Sequence, residues 1–466
     1  MKNVPVMGDK PINVAAYLKW FVTIIIPIVI LVLPETALYT YQVKMFLFVT
    51  TLGILLVAFE LMSLMAVSMM FPVGYLVSGL VPMEVAYSAW TMTMPTVVIG
   101  GYLLANVLDR IGLLKRIAYW TILRVGGSYY GLLYGVLIAG FVLNTATGGN
   151  AWVIMAAFTF GLCKSFDLGK SIDSAIIMLV GAFSAGASCV FLYTPYFMSL
   201  MLNAAHTVDS SITLTWLGFL IQMLPYALFI FGFVYMLPKI FKPTKKLPGK
   251  EFFATEYQKL GPMSTDEKKG AVVTVFLIAF MLTGSLHHIE LDWAFIVIPW
   301  MLYLPGFNVG IDDDVKKIDF SMVFFCVACL SIGITSGHLG IGKILAAAIV
   351  PILEPLSSSM VLGAIYLVGV ILNFLLTPFA ILAGFSEPIA QIAAGLNMNP
   401  MGALYALYVG LDQIAFPYEY LTYLIFYAFG LIKMVDFIKI MTTKMVLASL
   451  LVFFILIPWW KVLGIV

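Results

Sequence analysis

The feature that most limits what this chain can fold into is its succession of long apolar runs. They fall at about 17–33, 43–60, 64–81, 91–108, 129–162, 172–203, 214–237, 271–286, 292–304, 320–337, 357–396, 401–431 and 445–462. Roughly 20 such residues cross a bilayer core as a helix. Lipid satisfies no backbone polar group, so helices or closed barrels are the only spanning solutions. Of the 466 residues, 62% are hydrophobic and only 10% charged, with a mean hydropathy of +1.05. Soluble domains carry about 25% charged residues. The expected fold class is an all-α polytopic membrane protein. An ordinary soluble enzyme and a disordered scaffold are excluded, and a net charge of +2 makes no case for nucleic acid.

The four cysteines, Cys163, Cys189, Cys326 and Cys329, are too few for a disulfide framework in a chain this long. Cys326 and Cys329 sit one helical turn apart inside the run Phe320–Ile334, with no second Cys/His pair nearby, so packing explains them better than metal or redox chemistry. No metal site is expected. The first apolar run, Trp20–Leu33, ends in Pro34-Glu35 without a small-residue cleavage site and reads as a retained span rather than a signal peptide.

One stretch is aqueous. Lys239 to Lys269 carries 12 of the chain's 48 charged residues, eight of them lysine, together with Pro243, Pro248, Gly261 and Pro262. It reads as a cytoplasmic linker (239–270) between a first membrane repeat, 1–238, and a second, 271–466. The two halves look related. Gly100-Gly101-Tyr102-Leu103-Leu104 leads into Asp109 through Lys115, and Leu330-Ser331-Ile332-Gly333 leads into Gly337 through Lys343. Segment 109–124 has four cations, among them all three arginines (Arg110, Arg116, Arg124), against one acid. Its counterpart 338–354 sets Lys343 against Glu354. Equivalent segments with opposite positive-inside scores should face opposite sides, as an inverted-topology repeat requires.

Four interruptions fall inside otherwise apolar runs. Leu143–Asn150 contains two glycines and two asparagines, and its counterpart Leu372–Phe379 contains Pro378. The second pair is Ser184–Pro195, with Gly186, Ser188, Thr194 and Pro195, and Asp412–Tyr420, with Gln413, Pro417 and Glu419. A single break is best read as packing or a proline kink. Four at matched positions point instead to a midplane binding site, because non-helical backbone at that depth must be buried in protein or line a cavity.

On these residues the chain resembles the divalent anion/sodium symporter (DASS) family. Ala58-Phe59-Glu60-Leu61-Met62-Ser63-Leu64 is similar to its Thr-Glu-Ala-Ile-Pro-Leu signature. Val81-Pro82 through Arg116 resembles its third and fourth helices, and Pro305-Gly306 through Gly340 is similar to the corresponding part of its second half. Asn144-Thr145-Ala146-Thr147 resembles its Ser-Asn-Thr-Ala-Thr hairpin tip, and Thr194-Pro195 the start of its Thr-Pro-Pro-Asn loop. The likeness covers most of 40–460, with good register and few retained motif letters.

The resemblance implies about eleven transmembrane helices and two re-entrant hairpins, with tips near 144–151 and 373–380. It also implies a homodimer in the cell (inner) membrane, a cytoplasmic N-terminus, and an elevator-type transporter of dicarboxylates, citrate or sulfate. Sodium symport or exchange would drive it. Lys433, Lys439 and Lys444 before the last helix suit a cytoplasmic loop, whereas Asp312-Asp313-Asp314 in another such loop fits less well.

The departures are specific. The second tip carries Thr377-Pro378-Phe379-Ala380 where another Ser-Asn-Thr is expected, and the second loop position falls on Tyr420-Leu421-Thr422-Tyr423. The first tip has two registers. Motif letters favour 144–147, whereas the 38 residues from Gly112 to Asn150 equal the 38 from Gly340 to Pro378, which favours 148–151.

The arginines are confined to an interfacial stretch, so a midplane anion would rely on helix N-termini and neutral donors. Candidate substrate-binding residues are Asn144, Thr145, Thr147, Gly149, Asn150, Thr194, Pro195, Thr377, Pro378 and Phe379. Sodium, where it is the coupling ion, would take backbone carbonyls with Asn144, Asn150, Ser188 or Thr194. No other cofactor is expected. Among intramembrane acids, Glu387 and Glu419 are candidates for proton coupling, while Glu60 and Asp412 have structural readings as well. His206, His287, His288 and His338 fall near predicted external ends and read as interfacial. Enzymatic, channel and ATP-driven alternatives lack an H-E-x-x-H, a repeated pore ring and a P-loop respectively.

Overall fold

In the computed structural model the apolar runs become helices, and the polar residues that separate them become caps. Residues 14–36, 39–59, 61–125, 128–243, 250–287, 289–374 and 376–466 are described, and among them every element is helical. The principal helices are α1 (Val14–Val32), α2 (Tyr41–Ala58), α3 (Leu64–Val77), α4 (Thr93–Arg110), α5 (Leu113–Val125), α6 (Tyr129–Ala146), α7 (Trp152–Ser165), α8 (Ile172–Ala185), α9 (Pro195–His206), α10 (Leu224–Phe241) and α11 (Thr265–Leu282). Beyond them lie α12 (Phe320–Leu339), α13 (Ile341–Leu353), α14 (Ser358–Asn373), α15 (Pro378–Gly395), α16 (Pro400–Leu411), α17 (Leu421–Ala428) and α18 (Met434–Leu451).

Helix starts are written locally. Thr40, Ser63, Ser128, Ser357 and Thr377 each accept a backbone N–H of the first turn, satisfying one of the donors that a helix start leaves unpaired. Ser264 and Glu267 form a reciprocal capping box at α11. Among the described residues, five stretches are long and apolar enough to cross a bilayer: Tyr129–Ala146, Ile172–His206, Leu224–Phe241, Phe320–Leu339 and Met434–Val462. The pair α4 and α5 makes a sixth if counted together, bent by 77° at the left-handed Gly112. Eight shorter apolar helices of 10–17 residues accompany them. The molecule is an all-helical, multi-span membrane protein.

Two helices sit at the centre. α8 is buried at 13 of its 14 positions and α16 at all 12, enclosed by neighbours rather than lipid. α8 packs against α6, α7, α10, α17 and α18, and α16 against α14, α15 and α9. α2 and α3 form a smaller cluster against one face of α12, through Phe46, Phe71, Tyr75, Ala328 and Ile332. All four interruptions break the helices, at 147–151, 186–194, 374–377 and 412–420. Glu60 and His288 lie outside the described residues.

Arg110 fastens the first half to the second, and Arg116 fastens it to the segment that joins them. Arg110 Nε and Nη2 donate to Asp314 Oδ1 and Oδ2 at 2.8 and 2.9 Å, and Nη2 also reaches Val309 O at 2.6 Å. The acidic loop 312–314 is therefore the counter-charge of the arginine stretch and shares its side of the membrane. Arg116 forks onto Glu267 (2.7 and 3.1 Å) and closes on the carbonyls of Leu260 and Gly261. Breaking a buried pair typically costs about 3 kcal/mol or more. Arg116→Ala is therefore expected to lower the thermal midpoint of the detergent-solubilised protein by several degrees. Arg116→Lys, which keeps the charge but not the planar fork, should recover only part of that loss.

Candidate binding site

Each interruption leaves backbone carbonyls and N–H groups without helical partners at depth. At the first tip, α6 ends at Ala146, and Gly148 and Gly149 turn the chain with φ of +62° and +97° before α7 begins at Trp152. Both glycines are required, because a Cβ on Gly148 would sit 2.8 Å from the Phe295 ring and one on Gly149 2.6 Å from Thr194 Cγ2. Gly101 on α4 makes room for the tip in the same way, since its Cβ would lie 2.7 Å from Asn150 Nδ2. At the second tip, Thr377 caps α15 and Pro378 occupies the first helical position, where its missing N–H costs nothing.

The two tips meet at one cavity of about 230 Å³. The first half contributes Asn150, Trp152, Tyr196 and Phe197, and the second Thr377, Pro378, Phe379, Tyr420, Leu421, Thr422 and Leu424. Val57, Met62 and Leu64 near α2 and α3, Val98 and Tyr102 on α4, and Met322, Phe325 and Cys326 on α12 form the facing wall. Beside Leu64, which begins α3 on the facing wall, four helix starts on the tip side contribute lining residues: Trp152 begins α7, Tyr196 is the second residue of α9, Thr377 to Phe379 open α15, and Leu421 and Thr422 open α17. Among the described lining residues none is charged. Phe379 joins the parts, its ring centroid 5.8 Å from Tyr196, 5.4 Å from Phe197 and 5.5 Å from Phe325.

The residues singled out from sequence separate into two groups. Asn150, Thr377, Pro378 and Phe379 line the cavity, while Gly149 and Thr194 lie just behind it. Tyr196 Oη donates to Gly149 O at 3.3 Å, and Pro195 opens α9 beneath them. Asn144 is buried in the last turn of α6, where Nδ2 donates to Ala185 O (3.2 Å) and Ser188 Oγ (2.9 Å). It ties the end of α6 to the end of α8 instead of facing the cavity. Thr145 is half-buried, and Thr147 Oγ1 returns to Leu143 O. In the tip itself the repeat spacing, not the motif letters, coincides with the turn.

Glu419 accepts the N–H groups of Ala415 and Phe416 and so holds its own loop. Glu387 accepts from Ser336 Oγ at 2.7 Å and borders a second cavity of about 250 Å³ that also touches His338. His206 Nε2 lies 2.8 Å from Ile212 O, and His287 stacks on Phe280. Tyr102, Trp152, Tyr196 and Phe325 were not singled out as ligands. The usable signal was Tyr196, which stands where the resembled loop has its second proline.

The chain matches the family described as the sodium:sulfate symporter transmembrane region over residues 14–466. It belongs to the sodium:sulfate symporter family. That is a family of transporters, not enzymes. A membrane protein of Cupriavidus necator is 26% identical over 243 residues, covering 49% of this chain and 45% of that protein, so the match spans about half its length. The L-tartrate/succinate antiporter of Escherichia coli K12 is 22% identical over 379 residues, 76% of this chain and 75% of the antiporter. In fold, the symporter-family chain is similar to the crystal structure of the Alcanivorax borkumensis YdaH transporter, with a TM-score of 0.53 at 14% identity over 81% of this chain and 87% of that one.

The two asparagines of the first tip should behave differently. Asn144→Ala removes buried donors from Ala185 O and Ser188 and should destabilise the fold by about 1–2 kcal/mol. Asn150→Ala removes only the local bond to Thr147 O and should leave the thermal midpoint nearly unchanged. Thermal unfolding of both variants in one detergent checks the contrast.

Proposed function

We propose that this chain is a secondary active transporter of a small anion of the di- or tricarboxylate kind, with sulfate as the inorganic alternative. One observation carries the reading: the N-termini of α7, α9, α15 and α17 border a cavity that both halves build and that no charged side chain lines among the described residues. Each N-terminus carries roughly half a positive elementary charge, so four together roughly offset a dianion. Asn150, Thr377, Thr422, Tyr102, Tyr196 and Tyr420 supply neutral polar groups around it. The aromatic and aliphatic remainder suits an organic acid better than sulfate. The antiporter's printed substrates, tartrate and succinate, point the same way.

The mechanism we propose is alternating access of the elevator type. The tips and their supporting helices α6–α9 and α14–α17 would slide as a unit past the wall of α2–α4 and α12, within a homodimer whose N-termini are cytoplasmic. One sodium would bind in the first half, near the Asn144 carboxamide oxygen. That atom is buried without a hydrogen-bond partner beside Ser188. Glu387, next to its own cavity, is the acid that would serve proton coupling instead.

Three measurements test this reading. Uptake of labelled succinate, citrate and sulfate into proteoliposomes should favour the carboxylates, and replacing sodium with choline should reduce the initial rate only partly, with a Hill coefficient near one in sodium. Uptake of none of the three would remove the anion assignment. Asn150→Ala should lower uptake by about tenfold or more, the loss expected when a binding interaction worth about 1.4 kcal/mol or more is removed. For topology, single cysteines at Ser128 and Ser358, in a background lacking the native four, should react with an impermeant thiol reagent from inside and outside respectively. Reaction of both from one side would refute the inverted repeat.

A further inference from the structure

The two halves close their second interruptions with different chemistry. At the end of α8 the carbonyls are taken by neutral donors: Ala185 O accepts from Asn144 Nδ2 and Cys189 Sγ, and Ser184 O from Ser188 Oγ. At the end of α16, Leu411 O accepts from Asn373 Nδ2 at 3.0 Å, the same contact as in the first half. The next carbonyl is treated otherwise. Lys444 on α18, with no exposed surface, places its ammonium 2.7 Å from Asp412 O and 2.6 Å from Asp412 Oδ2.

Three features there call for a cation. The C-terminus of a wholly buried helix carries the negative end of its dipole, a carbonyl is freed, and a carboxylate lies beside it. The surroundings are rich in oxygen as well. Tyr226 Oη donates to Asp412 Oδ2 at 2.5 Å, and Gln413 Nε2 donates to Tyr226 Oη. The Gln413 and Asn373 carboxamide oxygens are both buried without partners. A freed carbonyl with a carboxylate and neighbouring neutral oxygens is the ligand set that a hard monovalent cation uses.

We propose that the Lys444 ammonium is a tethered cation that permanently occupies a sodium-type site in the second half of this transporter. The charge that an ion would bring and release is thereby fixed to the chain, and that half takes up no sodium from solution. This accounts for the neighbouring tip, where Pro378 and Phe379 offer no side-chain oxygen. The inference rests on the reading of the chain as an ion-coupled transporter, but its test reads cation binding directly and does not depend on uptake.

The test is thermal unfolding of the purified full-length protein in sodium chloride and in choline chloride at equal concentration. The variants are Lys444→Ala and the uncharged double variant Asp412→Asn/Lys444→Met. A ligand that binds only the folded state raises the midpoint. Lys444→Ala empties the site while keeping its oxygens, so its midpoint should rise in sodium by about 2 °C or more beyond the wild-type response. The double variant, having no carboxylate, should show the wild-type response or less. If Lys444→Ala folds and responds to sodium no more than wild type, the site is not a cation site and the proposal fails. It also fails if Lys444→Ala stays unfolded in high sodium while the double variant folds, because sodium then cannot replace the ammonium and the pair serves only packing.

Discussion

Everything distinctive in this protein follows from helix ends placed where water cannot reach them. A freed carbonyl or N–H in a low-dielectric interior costs as much as a lost hydrogen bond. Each interruption therefore needs its freed groups satisfied, by its own loop or by another part of the chain. Asn144 and Asn373 close the ends of α8 and α16 from the adjacent hairpins, Glu419 closes the 412–420 loop from within, and Lys444 reaches in from α18.

Closure from a neighbouring element also fixes what can move together. The first hairpin is bonded to α8 and the second to α16, and Ser174 on α8 reaches Leu431 O beyond α17. The contacts from these units to α4 and α12 are mostly of another kind, with the hydrogen bond from Ser336 on α12 to Glu387 on α15 as an exception. Phe379 meets Phe325 ring to ring, and Gly101 gives Asn150 room without bonding to it. Apolar contacts have no direction, so one surface can exchange them for others while sliding.

The helices and their four interruptions were legible in the sequence because both are local: apolar runs set the first, and Gly, Asn and Pro the second. The position of the first tip was legible only through internal spacing. Motif letters drew attention to Asn144, but a helix can run through that residue, whereas Gly148 and Gly149 in left-handed conformations must end it. The cavity wall was not legible. Tyr102, Tyr196 and Phe325 are ordinary apolar-run residues until packing brings four distant segments together. The Asp412–Lys444 pair was hidden for a related reason, since Lys444 reads as one more positive charge before the last helix. Only its complete burial, 32 residues from its partner, shows otherwise.

The uncharged lining sets a condition on how a cargo can be released. A cavity built from arginines would hold a dianion by contacts that persist wherever the cavity opens. Helix dipoles act over about one turn and are weakened by water and salt, so in the site proposed above the N-termini would bind a dianion less strongly with the cavity open to solvent than with it closed. Affinity then varies with exposure without any side chain having to change its charge. For a carrier that must take up its cargo on one side and let it go on the other, a site that weakens on opening is an advantage over one that grips equally throughout. The placement of all three arginines at the membrane surface, paired there with Asp314 and Glu267 or stacked on Trp120, is consistent with that requirement.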